Sequence, residues 1–513
     1  MEAAGALGKS SLAAYLDAAR EAVRSRSRAF WIVAGLTVLA AGLRFATLGV
    51  QAYHHDEIIT ASRVLRKDFW HVMDAVGWSE SAPPLYYAAA WLWTQFAGTG
   101  EFGLRSFSAL VGVATVPVAY LLGAELNGRR AGILTAALAS FNPMLLWYSQ
   151  EARGYSLLVL LTALAALYFL RTLERGRRGD SIAWGVSSSL ALATHYFAIF
   201  PVALEALWLG RRRRQALRPG VWLPLGTAIA LAPLALHQMS FEHAAWIGDR
   251  SLGHRVWEAG VTFAVGETGD VIARPERLLP ALAPLLAMVA ALLLLAARGG
   301  RRERRAGGRM LALAASTILA PLLIAVAAPG KDFFIARNLI PALLPLLAAV
   351  AVGATLRGER RTGNLIAAVL VAYSLAFSIW ASASPSLQRP DWRAVASRLG
   401  EPEGPRAMVT WTLGGASLRY YLSTGSFQVA PSDGYSFFVH EIDFISDGPA
   451  PPVRHRLLGP RFRQVGYAKA GRFYIRSYSL PPHELAHLRL RTIRSADTNF
   501  GSNTVLLDGI GVS

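Results

Sequence analysis

The amino-acid sequence predicts an all-α polytopic membrane domain joined to a C-terminal α/β extracytoplasmic domain. Three observations carry that prediction. Of the 513 residues, 53% are hydrophobic and only 17% charged, with a positive mean hydropathy of +0.34. Apolar runs of roughly 17 to 25 residues recur through the first three quarters of the chain, each long enough to cross about 30 Å of hydrocarbon as a helix. They lack the alternation of a barrel, the other fold that satisfies its backbone in lipid. Beyond residue 384 the long runs give way to short apolar segments among Pro and charged residues, the pattern of a soluble domain with its own core.

The elements follow in order. Residues 1 to 28 read as a cytoplasmic amphipathic N-terminus, with Leu12, Tyr15, Leu16, Ala19 and Val23 on one helical face behind Ser10-Ser11. They carry no short apolar core with a cleavage site, so the first apolar segment reads as an uncleaved signal-anchor. Spans are expected at 30 to 50, 105 to 123, 130 to 147, 154 to 171, 181 to 194, 196 to 210, 221 to 239, 277 to 297, 309 to 328, 333 to 354 and 363 to 382. The aromatic stretch 83 to 97 is short for a crossing, and parity decides its place. If it crossed, the clusters Arg129-Arg130, Arg175-Arg177-Arg178, Arg211 to Arg214 and Arg301 to Arg305 would all face outward, against the positive-inside rule. Lying along the outer surface it leaves eleven spans, an inner N-terminus and an outer C-terminal domain. The membrane domain is thus expected over 29 to 384 and the soluble domain over 385 to 513. Within the latter, Trp392 to Leu399 reads as a charged helix, and Ala407 to Thr412 and Phe473 to Ile475 as short apolar segments.

The formal net charge of +19 therefore encodes topology rather than nucleic-acid binding, because the excess sits in short Arg clusters between apolar segments with no nucleic-acid-binding module around them. The absence of cysteine removes disulfides, Fe–S clusters and thiol catalysis. Neither a Walker A run nor a GxGxxG turn occurs, which disfavours chemistry driven by ATP or a sugar nucleotide. The scattered histidines form no zinc pattern.

The same topology places two polar motifs on the outer face. Asp56 and Glu57, in Tyr53-His54-His55-Asp56-Glu57, follow the first span and precede an amphipathic segment at 58 to 65 able to form a short helix. Ionisable groups near a bilayer are costly unless they face water, a partner or a substrate, so the pair is the best catalytic candidate. A carboxylate there can take the proton of an attacking hydroxyl; it can also simply complement a helix N-terminus. A divalent ion on Asp56 and Glu57 is a further reading. In Ser149-Gln150-Glu151-Ala152-Arg153-Gly154-Tyr155, Arg153 can contact a phosphate, and Glu151 can position an acceptor or hold Arg153. His195-Tyr196 lies at the outer end of its span, where a structural histidine is the competing reading. Lys331 and Arg337 open the tenth span from outside, where positive-inside bias does not account for them. A lipid phosphate would satisfy Arg337, as would an internal salt bridge to Glu151 or Asp332.

Tyr53 to Glu57, Pro83-Pro84-Leu85-Tyr86-Tyr87, Leu104-Arg105-Ser106, Trp147 to Tyr155, Thr194-His195-Tyr196, and Arg337 to Pro341 with Pro345, taken in this order, resemble the bacterial glycosyltransferase family 39-like membrane enzymes of GT-C fold. These are relatives of protein O-mannosyltransferases and lipid A aminoarabinose transferases. The resemblance covers most of residues 30 to 355. It implies transfer of a hexosyl, mannosyl-like or aminoarabinosyl-like sugar from a polyprenyl-phosphate donor to a lipid, glycan or protein acceptor on the outer face of a bacterial inner membrane, with inversion. Asp56 matches the family's acidic base. Glu57 would help place base or acceptor, Arg337, Lys331 and Arg153 would face the carrier phosphate, and no cofactor is required. Many relatives carry His before the Pro-Pro pair, where this chain has Ser81-Ala82.

Two readings from other classes compete: a lipid or lipid-linked sugar flippase, and a non-catalytic scaffold that binds prenyl lipid. Charges gathered at one face rather than at the midplane argue against transport. The glycosyltransferase reading expects Asp56, Glu151 and Arg337 to serve one site.

Overall fold

The computed structural model describes residues 28–65, 68–241, 245–267, 275–329, 332–422, 428–429, 435–448, 453–497 and 503–509. The expected helix within residues 1 to 27 lies outside them. The chain divides into two compact units, one drawn from residues 1–46, 73–90 and 105–380, the other from 47–72, 91–104 and 381–513.

The first unit is helical. Among the described residues, seven helices are long and apolar enough to cross a membrane: Arg28–Phe45, Glu101–Phe141, Tyr155–Arg175, Gly220–Met239, Arg301–Ala327, Ala336–Ala354 and Arg357–Ala383. Each of the other spans expected from hydropathy also coincides with a helix, at Arg178–Thr194, Ile199–Arg212 and Pro275–Arg298. Glu101–Phe141 is two helices joined at Asn127 and Gly128, and the φ of +77° at Gly128 suits a residue without a Cβ. That turn separates the spans expected at 105 to 123 and 130 to 147, the second of which is broken at Asn142, where the helix ends at Phe141 and a short helix, Pro143–Ser149, begins.

Outward-facing side chains such as Trp31, Val38, Trp222, Ile229, Leu236, Leu323 and Leu365 stay exposed. In water such apolar faces would drive aggregation; in a bilayer they are the solvated surface. The protein is a multi-pass membrane protein. Inside, small residues let helices approach. A Cβ on Gly185 would fall 2.2 Å from the Gly220 carbonyl oxygen, so Arg178–Thr194 and Arg214–Met239 pack backbone to backbone there. The most enclosed element is Leu343–Ala354. The span expected to begin it as an α-helix instead opens with a 3₁₀ segment, Ala336–Ala342, because Pro341 has no amide hydrogen to give and its ring crowds the preceding turn.

The second unit holds the C-terminal α/β fold. Its strands are β1 (Arg406–Trp411), β2 (Gln428–Val429), β3 (Ser436–Val439), β4 (Glu441–Asp447), β5 (Arg463–Ala470), β6 (Phe473–Ser479), β7 (Ala486–Arg489) and β8 (Asn503–Asp508). Six form one sheet in the order β2-β8-β1-β4-β6-β5, with β1 and β4 parallel and the other neighbours antiparallel; β3 and β7 make a separate pair. Alternation sorts the core. Met408, Ile445, Ile475 and Leu506 join Trp392, Val395 and Leu418 of two helices, Trp392–Leu399 and Thr412–Tyr421. Ala407, Val409, Ile442, Phe444 and Leu507 gather with Leu490 and Ile493 of the Leu490–Ala496 helix. Asp391 caps the first of these helices by accepting from the Ala394 N–H at 3.1 Å. This unit also holds the segment after the first span, where a short α-helix, His55–Ile59, runs into a π-helical turn, Thr60–Val64.

Candidate active-site residues

In the first unit, the turn between two helices carries the Glu151-Arg153 motif. Asn142 accepts from the Leu145 N–H at 3.1 Å, and Pro143 follows it, so the short helix Pro143–Ser149 starts there. After that helix, Gln150 donates to the carbonyls of Leu43 and Arg44 at 3.2 and 2.9 Å, anchoring the turn to the end of the first span. Arg153 then donates to Glu80 at 2.7 Å, Tyr87 donates to the same carboxylate oxygen at 2.7 Å, and the Arg153 guanidinium lies 5.8 Å from the Tyr87 ring centre. Glu80 is buried. Sequence reasoning passed it over; its one signal was a carboxylate just ahead of Pro83-Pro84.

Glu151 is buried beside this pair in sequence, and Tyr148, Tyr155 and His195 form a ladder of rings with centres 4.7 and 5.8 Å apart. His195 Nδ1 accepts from the Phe197 N–H at 3.2 Å, capping the turn Tyr196–Ala198. Both Arg153 and Arg337 lie within electrostatic reach of His195, and Glu151 and Arg337 within reach of Tyr148. The first unit therefore gathers Glu151, Arg153, His195 and Arg337. Tyr196 sits further out in the same network: it donates to Gln238 at 2.8 Å, and Gln238 donates to the carbonyls of Val76 and Ala82 at 2.9 and 3.1 Å, holding the segment that bears Glu80.

Arg337 is half-buried in the Ala336–Ala342 turn, its guanidinium 5.4 Å from the ring centre of Trp246. Asp332, an internal partner the sequence offers Arg337, is instead held by Arg255 at 2.5 and 3.1 Å and accepts from the Phe334 N–H at 2.9 Å. Burial works against ionisation of Asp332, yet these hydrogen bonds outweigh it and keep its carboxyl below the usual range. Lys331 lies outside the described residues.

Asp56 and Glu57 belong to the second unit. The Tyr53 N–H donates to the Tyr421 hydroxyl at 2.7 Å, and the Tyr53 hydroxyl to the Thr99 carbonyl at 2.8 Å, which fixes the entry to the motif. The adjacent carboxylates then meet opposite surroundings. Glu57 is fully buried, accepts from the His54 N–H at 2.9 Å as a helix cap, and lies 3.7 Å from Arg389 Nε. Arg389 also donates to Gln51 at 3.2 Å. Asp56 remains partly exposed, 3.1 Å from His55 Nε2. Burial, then the charges of His55 and Arg389, push the His54 imidazole down to about 3 against the opposing pull of Asp56 and Glu57, so His54 is neutral at physiological pH.

Ligand atoms of His54, His55 and Asp56 all lie within 4.8 Å of one another, a set of two imidazoles and one carboxylate that could hold a divalent ion. Of the two carboxylates expected to hold a divalent ion, Asp56 is in this set; Glu57 is turned to the helix cap.

Comparison with known proteins gives the fold. Residues 81–238 match the model of a family described as dolichyl-phosphate-mannose-protein mannosyltransferase. The crystal structure of ArnT from Cupriavidus metallidurans bound to undecaprenyl phosphate is similar at a TM-score of 0.52 and 15% identity, over 87% of this chain and 97% of that one. The protein has the GT-C glycosyltransferase fold. The apo form of the same ArnT is similar to this GT-C chain at 0.53 and 15%, over 88% and 98%. No curated protein matches the chain by sequence. The family match spans the Pro83-Pro84 segment, the Glu151-Arg153 turn and His195-Tyr196, and leaves Glu80 and Arg337 outside it.

Proposed function

We propose that this GT-C protein transfers a sugar from a polyprenyl-phosphate-linked donor to an acceptor hydroxyl on the outer face of a bacterial inner membrane, with inversion and with Asp56 as general base. The observation that carries the reading is the contrast in burial between neighbours: Glu57 is fully buried, held by capping and by Arg389, whereas Asp56 is partly exposed beside His55. The N-terminus is then cytoplasmic and the soluble domain extracytoplasmic.

In this reaction the acceptor oxygen attacks the anomeric carbon as the bond from that carbon to the phosphate oxygen breaks. Asp56 takes the hydroxyl proton, and the lipid phosphate departs as an anion. Arg337, Arg153 and Lys331 stabilise that developing charge, an electrostatic role that needs no nucleotide. Glu151, His195 and Tyr196 line and orient the donor side, and Glu57 holds the helix that presents Asp56. An ArnT of the same fold has been crystallised with undecaprenyl phosphate, which supports a prenyl-phosphate carrier for this chain. The acceptor is a lipid, glycan or protein hydroxyl or similar group. No cofactor is needed; a divalent ion held by His54, His55 and Asp56 would act on the acceptor oxygen.

Incubation of the purified protein with a panel of polyprenyl-phosphate sugars and extracted envelope, read by mass spectrometry, tests the reading. A glycosylated product that disappears in Asp56→Asn while the variant still binds donor lipid supports it. Unchanged transfer by Asp56→Asn overturns the base assignment, and transbilayer movement of the lipid without a glycosylated product favours a flippase.

A further inference from the structure

The end of the first unit remote from Arg153 holds a second polar feature. The Tyr155–Arg175 helix has 21 residues, so at about 1.5 Å per residue its last turn lies roughly 30 Å from the Arg153 turn. There a cavity of 310 Å³ opens where three elements meet: Glu125 from the Glu101–Phe141 segment just before its turn, Glu174 from the last turn of Tyr155–Arg175, and Arg301, Arg302, Arg305 and Arg309 from the first turns of Arg301–Ala327. That volume falls within the roughly 300–1,000 Å³ of small-molecule sites.

The carboxylates on the cavity wall are already neutralised. Glu125 accepts from Arg175 at 2.5 and 2.7 Å and from Arg171 at 3.3 Å, and Glu174 accepts from Arg309 at 2.9 Å. Arg301, Arg302 and Arg305 have no hydrogen-bond or ion-pair partner among the described residues. Three uncompensated guanidiniums thus converge on one cavity, and the positive end of the Arg301–Ala327 helix dipole adds to their field. Positive-inside bias needs cations near this surface but does not need them around a cavity. Leu126 and Leu170, both buried, supply an apolar wall beside the arginines.

We infer that this cavity is a phosphate-binding site, built to take the phosphodiester headgroup of an anionic phospholipid at the arginine-bearing end of the helices. Guanidinium forks match phosphate oxygens in pairs, and basic pockets between membrane helices are suited to anionic headgroups. The site is independent of the sugar-transfer reading, since it uses none of its residues and lies at the other end of the same helix.

Native mass spectrometry of the full chain in detergent, titrated in separate arms with phosphatidylglycerol, phosphatidylcholine and inorganic phosphate, tests the inference. Phosphatidylglycerol is expected to be retained roughly tenfold or more over phosphatidylcholine, and R301A/R302A/R305A to lose that excess. R301K/R302K/R305K, which keeps the charge, should restore most of it, and a thermal melt of each variant checks folding. Displacement of the lipid by millimolar inorganic phosphate identifies the phosphate group alone as the ligand; resistance to displacement identifies the whole lipid. Equal retention of the two lipids together with no bound phosphate, or a folded alanine variant that binds as the wild type does, overturns the inference.

Discussion

Arg153 donates to Glu80 at 2.7 Å, an ion pair in which the carboxylate is 3% exposed and the guanidinium 15%. Tyr87 donates to the same oxygen, so Arg153 is held from both its charge and its flat face. Removing one partner of so enclosed a pair leaves a buried charge unmatched, at a cost of about 3–5 kcal/mol. Glu80→Gln is therefore expected to lower the melting temperature more than the double variant Glu80→Gln/Arg153→Gln, while both lose sugar transfer. A double variant as unstable as the single would show that the pair is not coupled.

Asp56 and Glu57 should separate cleanly in function and stability. Asp56→Asn is expected to slow transfer by roughly 10²- to 10⁴-fold with a smaller loss of melting temperature than Glu57→Gln, because the Asp56 side chain is partly exposed where Glu57 is fully buried. Glu57→Gln weakens the acceptor for the His54 N–H and leaves Arg389 short of a counter-charge, at about 1–3 kcal/mol of stability. Paired melts and transfer assays of the two variants decide this; equal thermal losses would contradict it.

Arg337 rests against Trp246 at 5.4 Å, a contact that suits a planar guanidinium. Arg337→Lys keeps the charge and loses the flat stacking and the bidentate donors, so the apparent KM for a polyprenyl-phosphate donor should rise, on the order of tenfold. Arg337→Ala should lower kcat as well. An Ala variant whose kcat and KM both match the wild type would remove Arg337 from the donor side.

The C-terminal sheet contains its own titrating group. Asp443 on β4 is buried against Arg406 at 3.2 Å, and Ser477 donates to it at 2.5 Å. Burial, reinforced by Glu441 and opposed by Arg406 and Ser477, raises its carboxyl from 3.8 to about 7. The folded state therefore binds the proton more tightly than the unfolded chain. This contribution to stability is largest at low pH and is lost as pH climbs from about 4 to about 7. The protection factors of β4 and β6, which remove the intrinsic rise of exchange with pH, should fall across that window in the wild type, and Asp443→Asn should flatten the slope. A slope that survives the substitution would assign it to another group.

The membrane class and the helix positions were legible in the sequence because hydropathy and residue spacing are local properties. The expected segment at 363 to 382 lies within helix Arg360–Ala383, that at 154 to 171 starts one residue ahead of helix Tyr155–Arg175, and Trp392–Leu399 is the helix its charge pattern suggested. The short apolar segments at 407 and 473 became β1 and β6 for the same reason. The turn motifs carrying Asp56, Arg153, His195 and Arg337 were legible too, since a charge beside a long apolar run stands out in one dimension.

Which of those charges is buried, and against which distant partner, could be decided only by tertiary structure. The local capping contact from the His54 N–H marks Glu57, but its burial against Arg389, an arginine far along the chain, is a tertiary fact. Glu80 gained its place from Arg153, 73 residues away, and Asp332 was claimed by Arg255, 77 residues away. Ion pairs and hydrogen bonds depend on distances of a few ångströms between segments that helix packing brings together, and a linear pattern of residue types does not contain those distances.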